Sequence, residues 1–191
     1  LVGFRPFFSL ACIAGLSLPI LWILILKGVL PAPSAAYSPT QWHAHEMFYG
    51  FGWAVLGGFL LTSTKNWVNV RGYHGSVLIY LTLTWLVERG VMAFGGHLPP
   101  LLFWLGSQLF LLSMVGLLLA TLIHHRNTDN YRRDNLFFLL ILPTFAVAKI
   151  LILLPDSFQI GWTMTLGLFR VAFLVMLERT LTQFMKSIFK V

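Results

Sequence analysis

The chain has 191 residues, 58% of them hydrophobic and 10% charged, with 13 Lys and Arg against 6 Asp and Glu and a mean hydropathy of +0.81. Soluble domains carry about 25% charged residues, and a globule of this size has too little interior to hide so much Leu, Phe and Trp. A conventional cytosolic enzyme, a nucleic-acid module and a disordered tail are excluded, and an integral membrane protein is predicted.

Spans of about 20 apolar residues, the length needed to cross a bilayer, occur in chain order at 6–27, 42–64, 76–94, 100–123, 135–154 and 159–185. These segments are apolar all round for twice the length of a barrel strand, so a β-barrel fails. Pro19 and Pro143 fall inside the first and fifth spans, where membrane helices tolerate them. The connections are short: 28–41 is rich in Pro, Ala and Ser, 95–99 reads Gly-Gly-His-Leu-Pro, and 155–158 reads Pro-Asp-Ser-Phe. The predicted fold is therefore an all-α polytopic membrane protein, with residues 1–191 forming a single domain of six transmembrane helices.

The net charge of +7 reads as contact with anionic lipid headgroups. No aromatic-interleaved basic stripe offers itself to nucleic acid. Arg5, then Lys65, Arg71 and His74, then Arg126, Arg132 and Arg133, then Lys186 and Lys190 all fall on one side of a six-span arrangement. The other side has only Lys27 at a helix end and Asp156. The positive-inside bias then places both termini in the cytoplasm. One cysteine, Cys12, excludes an intramolecular disulfide framework and a multi-cysteine zinc site. The first residue is Leu rather than Met, so a preceding segment is expected.

Ionisable residues within spans are costly and mark function or buried pairs. Here they are Glu46, Glu88, Arg89, Lys149, Arg170, Glu178 and Arg179. At 1.5 Å per residue, Arg89 and Lys149 lie in the outer third, Arg170 near the middle, and Glu178 and Arg179 close to the inner surface. Two readings stand. Neighbouring helices pair Glu46 or Glu88 with Arg89, Lys149 or Arg170 and so hold the bundle, or the excess cation at mid-to-outer depth neutralises an anion such as the propionates of a haem.

The densest polar cluster, Trp42-His43-Ala44-His45-Glu46-Met47, opens the second span. On an ideal helix His43 and Glu46 lie about 60° apart, on one face, with His45 about 160° round from His43. One helix cannot aim both histidines at one metal, so two partners, or one ligand and one supporting residue, are expected. Inward along the His43 face come Gly50, Ala54, Gly57 and Gly58, a strip suited to close packing by a helix or by a flat macrocycle. His97 shares the outer side, as a loop histidine or as a completing ligand. His74, His124 and His125 read as a headgroup-facing basic corner. No Walker, Rossmann, His-Glu-x-x-His or Cys-x-x-Cys-His pattern is present, so any haem is held non-covalently, as haem b or similar.

Gly-Phe-Arg-Pro-Phe-Phe (3–8), Trp-His-Ala-His-Glu-Met-Phe-Tyr-Gly-Phe (42–51), Gly-Phe-Leu-Leu-Thr (58–62) and Asn66-Trp67 resemble, in order and spacing, the N-terminal half of the NnrS family of bacterial membrane proteins. Weaker echoes run through Arg89, Arg133-Asp134-Asn135 and Arg179. The resemblance implies a haem- and copper-containing protein of the bacterial cytoplasmic (inner) membrane, linked to nitric oxide metabolism. It favours His43, His45 and Glu46 as the metal or haem cluster, adds Arg5, Arg89 and Arg179 as family-like cations, and gives no support to His74, His97, His124 or His125. The chain departs from the family in having Glu88-Arg89 and Glu178-Arg179 where Gly-Arg is usual.

The expected cofactors are thus haem b, bound through His43 or His45 with Arg89 and Lys149 on its propionates, and copper at His43, His45 and Glu46. The expected partners are the lipid bilayer and either a second copy of the chain or a larger membrane complex, with no nucleic acid. An accessory or electron-transfer subunit of a respiratory or NO-reducing complex is the alternative function. A transporter or copper-handling protein ranks third, hinted at by the repeated Glu-Arg at 88–89 and 178–179.

Overall fold

The computed structural model describes residues 3–33 and 37–189. Lys190 and the side chain of Lys186 lie outside the described residues. Among the described residues the fold is helical without strands, and six helical stretches are long and apolar enough to cross a membrane. Backbone groups cannot be left unpaired in hydrocarbon, and a helix satisfies them within its own segment.

The first span is α1 (Phe4–Leu26). The second joins α2 (Pro39–His45), a π-helical segment (Glu46–Gly52) and α3 (Trp53–Trp67) into one continuous rod. Then come α4 (Ser76–Phe94), α5 (Pro100–His124), α6 (Leu136–Leu153) and α7 (Phe158–Phe189). The six predicted spans coincide with these within a few residues, and α1 and α6 run through Pro19 and Pro143.

The second span begins earlier than its hydropathy suggests because Ser38 caps it. Its hydroxyl accepts from the Gln41 backbone N–H (3.2 Å), the Gln41 side chain accepts from the Ser38 N–H (2.7 Å), and Pro39 supplies a ready-made first-turn φ. Gln41 also donates to the Ile152 carbonyl (3.0 Å), tying this end to α6. Tyr37, in the preceding loop, donates to the Met92 carbonyl and stacks on Phe103, which closes the same end against α4 and α5. Burial, reinforced by the Glu46 carboxylate and opposed by Arg89, raises the Tyr37 phenol above its usual pKa.

The second span is the axle of the bundle, 56% buried against 17% for α1. Phe7 of α1 seats on Gly58, where an added Cβ would lie 2.9 Å from the Phe7 Cβ, and stacks on Phe110 of α5. Trp53, fully buried, meets Phe145 of α6 edge-on. The pairs α4–α5 and α6–α7 are antiparallel neighbours joined by short turns. In the second pair, Gly161 lies so close to the α6 backbone that a Cβ would overlap the Ile152 nitrogen.

At one end of the bundle the 125–135 connection is laced to the end of α3, with Asn130 N–H on the Trp67 carbonyl (2.9 Å) and Thr128 hydroxyl on the Val68 carbonyl (2.9 Å). This end carries Lys65, Arg71, Arg126, Arg132 and Arg133, so the segregation of charge read from the sequence is physically present. Outward faces carry many exposed apolar side chains, for example Ile13, Leu16, Leu105 and Leu174. Such faces suit lipid as their solvent.

Candidate functional site

Three spans far apart in sequence bring their ionisable residues together inside the bundle. His45 ends α2, Glu46 opens the π segment, Glu88 and Arg89 stand on α4, and Lys149 stands on α6. His45, Glu88 and Lys149 are completely buried, Glu46 nearly so, and the Arg89 side chain is 14% exposed. Glu46 Oε2 accepts from Arg89 at 2.8 Å, and Glu88 Oε1 pairs with both Arg89 and Lys149, the latter at 2.8 Å. His45 Nδ1 lies 3.1 Å from Glu46 Oε1, which accepts, so Nδ1 carries the proton and Nε2 a lone pair. That Nε2 faces Glu88 Oε1 at 3.9 Å.

With His45 neutral, the two carboxylates and two cations cancel. Cancellation is what makes the cluster tolerable in a membrane interior, because an unpaired buried charge costs several kcal/mol. The pairing is nevertheless incomplete. His45 Nε2, Glu88 Oε2 and Arg89 Nε are buried without a hydrogen-bond partner. A purely structural ion network would be expected to satisfy such atoms.

The π segment shapes the surroundings. Its wider turn leaves the Gly50 carbonyl to accept from the Trp85 indole N–H (3.0 Å). It also presents Gly50 itself as a notch for the Arg89 guanidinium, which any Cβ there would overlap. Insertions of this kind recur at functional positions in helices. Tyr49, fully buried, bonds to the Phe145 carbonyl (3.1 Å) and to Thr165 of α7 (2.8 Å), with Lys149 5.4 Å from its ring centroid.

His43 goes elsewhere. Its ring stacks on Trp22 of α1 (centroids 4.3 Å apart, planes within 8°), the residue is half-buried, and its Nδ1 is buried without a partner. The two histidines therefore diverge, as the helical angles predict. Glu46 does not follow the ideal-helix expectation: it sides with His45 rather than His43, held there by Arg89. His43, His45 and Glu46 do not converge, and no three His, Cys, Asp or Glu among the described residues are grouped to hold a metal ion. The copper trio read from the sequence does not fit this arrangement.

The cavities around Lys65, Trp104, Tyr80 and Asn66 do not have His45 in their lining. The glycines of the strip are already covered: Gly50 by Arg89, Gly57 by Met114 and Gly58 by Phe7 and Phe8. The strip serves helix packing rather than a macrocycle. Arg89 and Lys149, expected on propionates, are occupied by Glu46 and Glu88. Of the two histidines at the start of the second span, His43 is the one without an ion pair to a described residue.

The other candidates are dispersed. His97, His74 and His124 are exposed, and His124 packs edge-on against His125. Arg5 is exposed at the start of α1. Arg179 is buried in a separate nest at the basic end, described below. Arg170 is exposed on α7 and makes no ion pair with a described residue. Sequence reasoning does not single out Tyr49, Trp85 or Thr165, and it reads Gly50 as part of a packing strip rather than as the seat of Arg89. The available signal was the four-residue step from His45 to Tyr49, whose rings lie 5.5 Å apart.

A family model described as NnrS protein matches residues 1–191, the length of the chain. Neither a curated protein nor a solved structure matches it.

Proposed function

The chain belongs to the NnrS family and is a nitric-oxide-related membrane protein; from that premise we propose that its chemistry is divided between two imidazoles, His43 for a haem b and His45 for a proton. The observation that carries this reading is their divergence, His43 onto Trp22 at the edge of the bundle and His45 into the ion cluster. In this reading the protein sits in the bacterial cytoplasmic membrane with both termini inside, and both imidazoles lie toward the outer face.

A haem b bound there would supply an iron able to take nitric oxide. His43 is the residue to hold it, with the stacked Trp22 ring fixing the orientation of the imidazole. His45 keeps its Nδ1 proton on Glu46 and directs the Nε2 lone pair toward Glu88, whose Oε2 is also unpartnered. Two unpartnered acceptor atoms within one cluster suit the holding of a proton. Because Glu46, Glu88, Arg89 and Lys149 cancel, taking up that proton changes the buried charge by one unit only. Proton-holding clusters of this kind are a recognised use of intramembrane charge.

The test is the dithionite-reduced minus oxidised spectrum of the detergent-purified protein, with and without nitric oxide, for wild type, His43→Ala and His45→Ala. The expected result is a b-type signal that His43→Ala abolishes and that survives in His45→Ala with an altered pH dependence of its nitric oxide response. A haem-free wild type at full expression and normal folding overturns the reading. So does a signal lost in His45→Ala but kept in His43→Ala.

One observation favours a second reading, an accessory or electron-transfer subunit of a larger respiratory or NO-reducing complex. Arg170 stands exposed near the middle of α7 with no ion pair among the described residues. A cation so placed is costly in lipid unless a neighbouring subunit pairs it. Native electrophoresis of mildly solubilised membranes, comparing wild type with Arg170→Leu, separates the two: a larger assembly that the variant loses supports the subunit reading.

A further inference from the structure

At the basic end, away from the histidine cluster, a cavity of about 150 Å³ lies between the end of α3, the 68–75 connection and the end of α5. Lys65, Arg71 and His125 line it together with the hydroxyl-bearing Thr64, Tyr73 and Thr121, and no acidic residue is among the lining. None of the three basic residues forms an ion pair with a described residue. The contrast with Arg89 and Lys149 is direct: those cations are neutralised within the chain, these are not.

The lysine is held in place. Its stem packs against Gly72, where an added Cβ would lie 2.6 Å from Lys65 Cδ, so the absence of a side chain at Gly72 lets the stem lie along the loop. Tyr73 forms the wall on the α5 side, its hydroxyl donating to the Leu117 carbonyl (3.1 Å) and paired with Thr121 (2.9 Å). Beyond that wall, and sharing Leu117 with it, an outward-facing groove of about 520 Å³ runs between α4 and α5, lined by residues such as Val77, Leu112 and Gly116. The Tyr80 and Ser113 hydroxyls along the groove bond to each other (2.8 Å), which leaves an apolar trough. Gly116 has no atom within 4 Å of where its Cβ would be, so the trough is open at its centre.

We infer that this basic cavity and the apolar groove beside it form one binding site for an anionic phospholipid, the phosphate at Lys65, Arg71 and His125 and an acyl chain along Gly116. The cavity lies at the ends of two spans, where lipid phosphates sit, and the groove faces the hydrocarbon. Basic pockets between membrane helices are suited to acidic headgroups. A free phosphate shares the headgroup chemistry and would use the cavity alone. The groove is what commits the site to lipid.

Native mass spectrometry of the detergent-purified full chain, with phosphatidylglycerol or phosphatidylcholine added, tests this, and inorganic phosphate serves as competitor. The expected result is preferential retention of phosphatidylglycerol. In Lys65→Gln/Arg71→Gln its retention falls about thirtyfold, since each basic residue at a membrane surface is worth roughly fivefold. Gly116→Leu, a helix-favouring change on an open surface, lowers retention severalfold by filling the groove while the cavity stays intact. Circular dichroism and elution volume confirm that both variants fold. Equal retention of phosphatidylcholine, or wild-type retention in the double variant, overturns the proposal. Displacement of the lipid by inorganic phosphate, with Gly116→Leu without effect, overturns the lipid assignment and leaves a phosphate site.

Discussion

Arg89 and Arg179 both leave water at helix contacts, Arg89 between two carboxylates and Arg179 among aromatic rings. Arg89 pairs with Glu46 and Glu88, and shares Glu88 with Lys149. Arg179, 7% exposed, has its guanidinium 4.4 Å from the Trp67 ring, 4.5 Å from Tyr131 and 5.7 Å from Phe138. Its hydrogen bond goes to the Asn135 carbonyl oxygen (2.7 Å), whose amide in turn donates to both oxygens of Asp129. Near a membrane surface, ring quadrupoles and an amide relay suffice to hold a cation. At the other end of the bundle, among fully buried Glu88 and Lys149, full opposite charges are used. The first arrangement fixes a loop onto the bundle; the second leaves unpartnered lone pairs that chemistry can use.

The difference can be broken most severely at Glu88. Glu88→Gln leaves Lys149 without its carboxylate and is expected to cost about 3–5 kcal/mol, read as a fall in Tm of the detergent-solubilised protein. The double variant Glu88→Gln/Lys149→Met is expected to recover most of that loss, because it removes both charges of the pair while Arg89 keeps Glu46. A double variant no more stable than Glu88→Gln alone would show that the cluster is not held by this pairing.

Gly50→Ala comes next. The new methyl group overlaps the Arg89 guanidinium, and overpacking of this kind costs about 1–3 kcal/mol. Thermal unfolding of Gly50→Ala and of Gly50→Ala/Arg89→Met checks the cause, since the second variant removes the guanidinium the methyl strikes.

At the other arginine, Arg179→Lys keeps the charge but loses the planar stacking, with an expected loss of about 1–2 kcal/mol. The effect should centre on the 125–135 connection, seen as faster hydrogen exchange there and unchanged exchange in 39–52. The smallest effect belongs to the cap of the second span: Ser38→Ala is expected to cost about 1 kcal/mol, with faster exchange at Gln41 and no change in the ion cluster.

The sequence by itself determined the six spans, the segregation of basic residues to one end, the divergence of His43 from His45, and the family. Each of these is carried by local pattern: a run of apolar residues long enough to cross a bilayer, the placement of Lys and Arg in connections, the angle between positions on one helix, and the motif spanning 42–51. Tertiary structure alone decided which charges meet. Glu46, Glu88–Arg89 and Lys149 come from three different spans, and no periodicity within one span fixes its rotation against another. The excess of cation at this depth suggested waiting propionate partners, yet Glu88 bridges both cations and leaves none over. The π segment was likewise invisible to hydropathy, because the extra residue in its turn changes hydrogen bonding without changing apolar content. The notch it presents at Gly50 is filled by Arg89 only once the helices are packed.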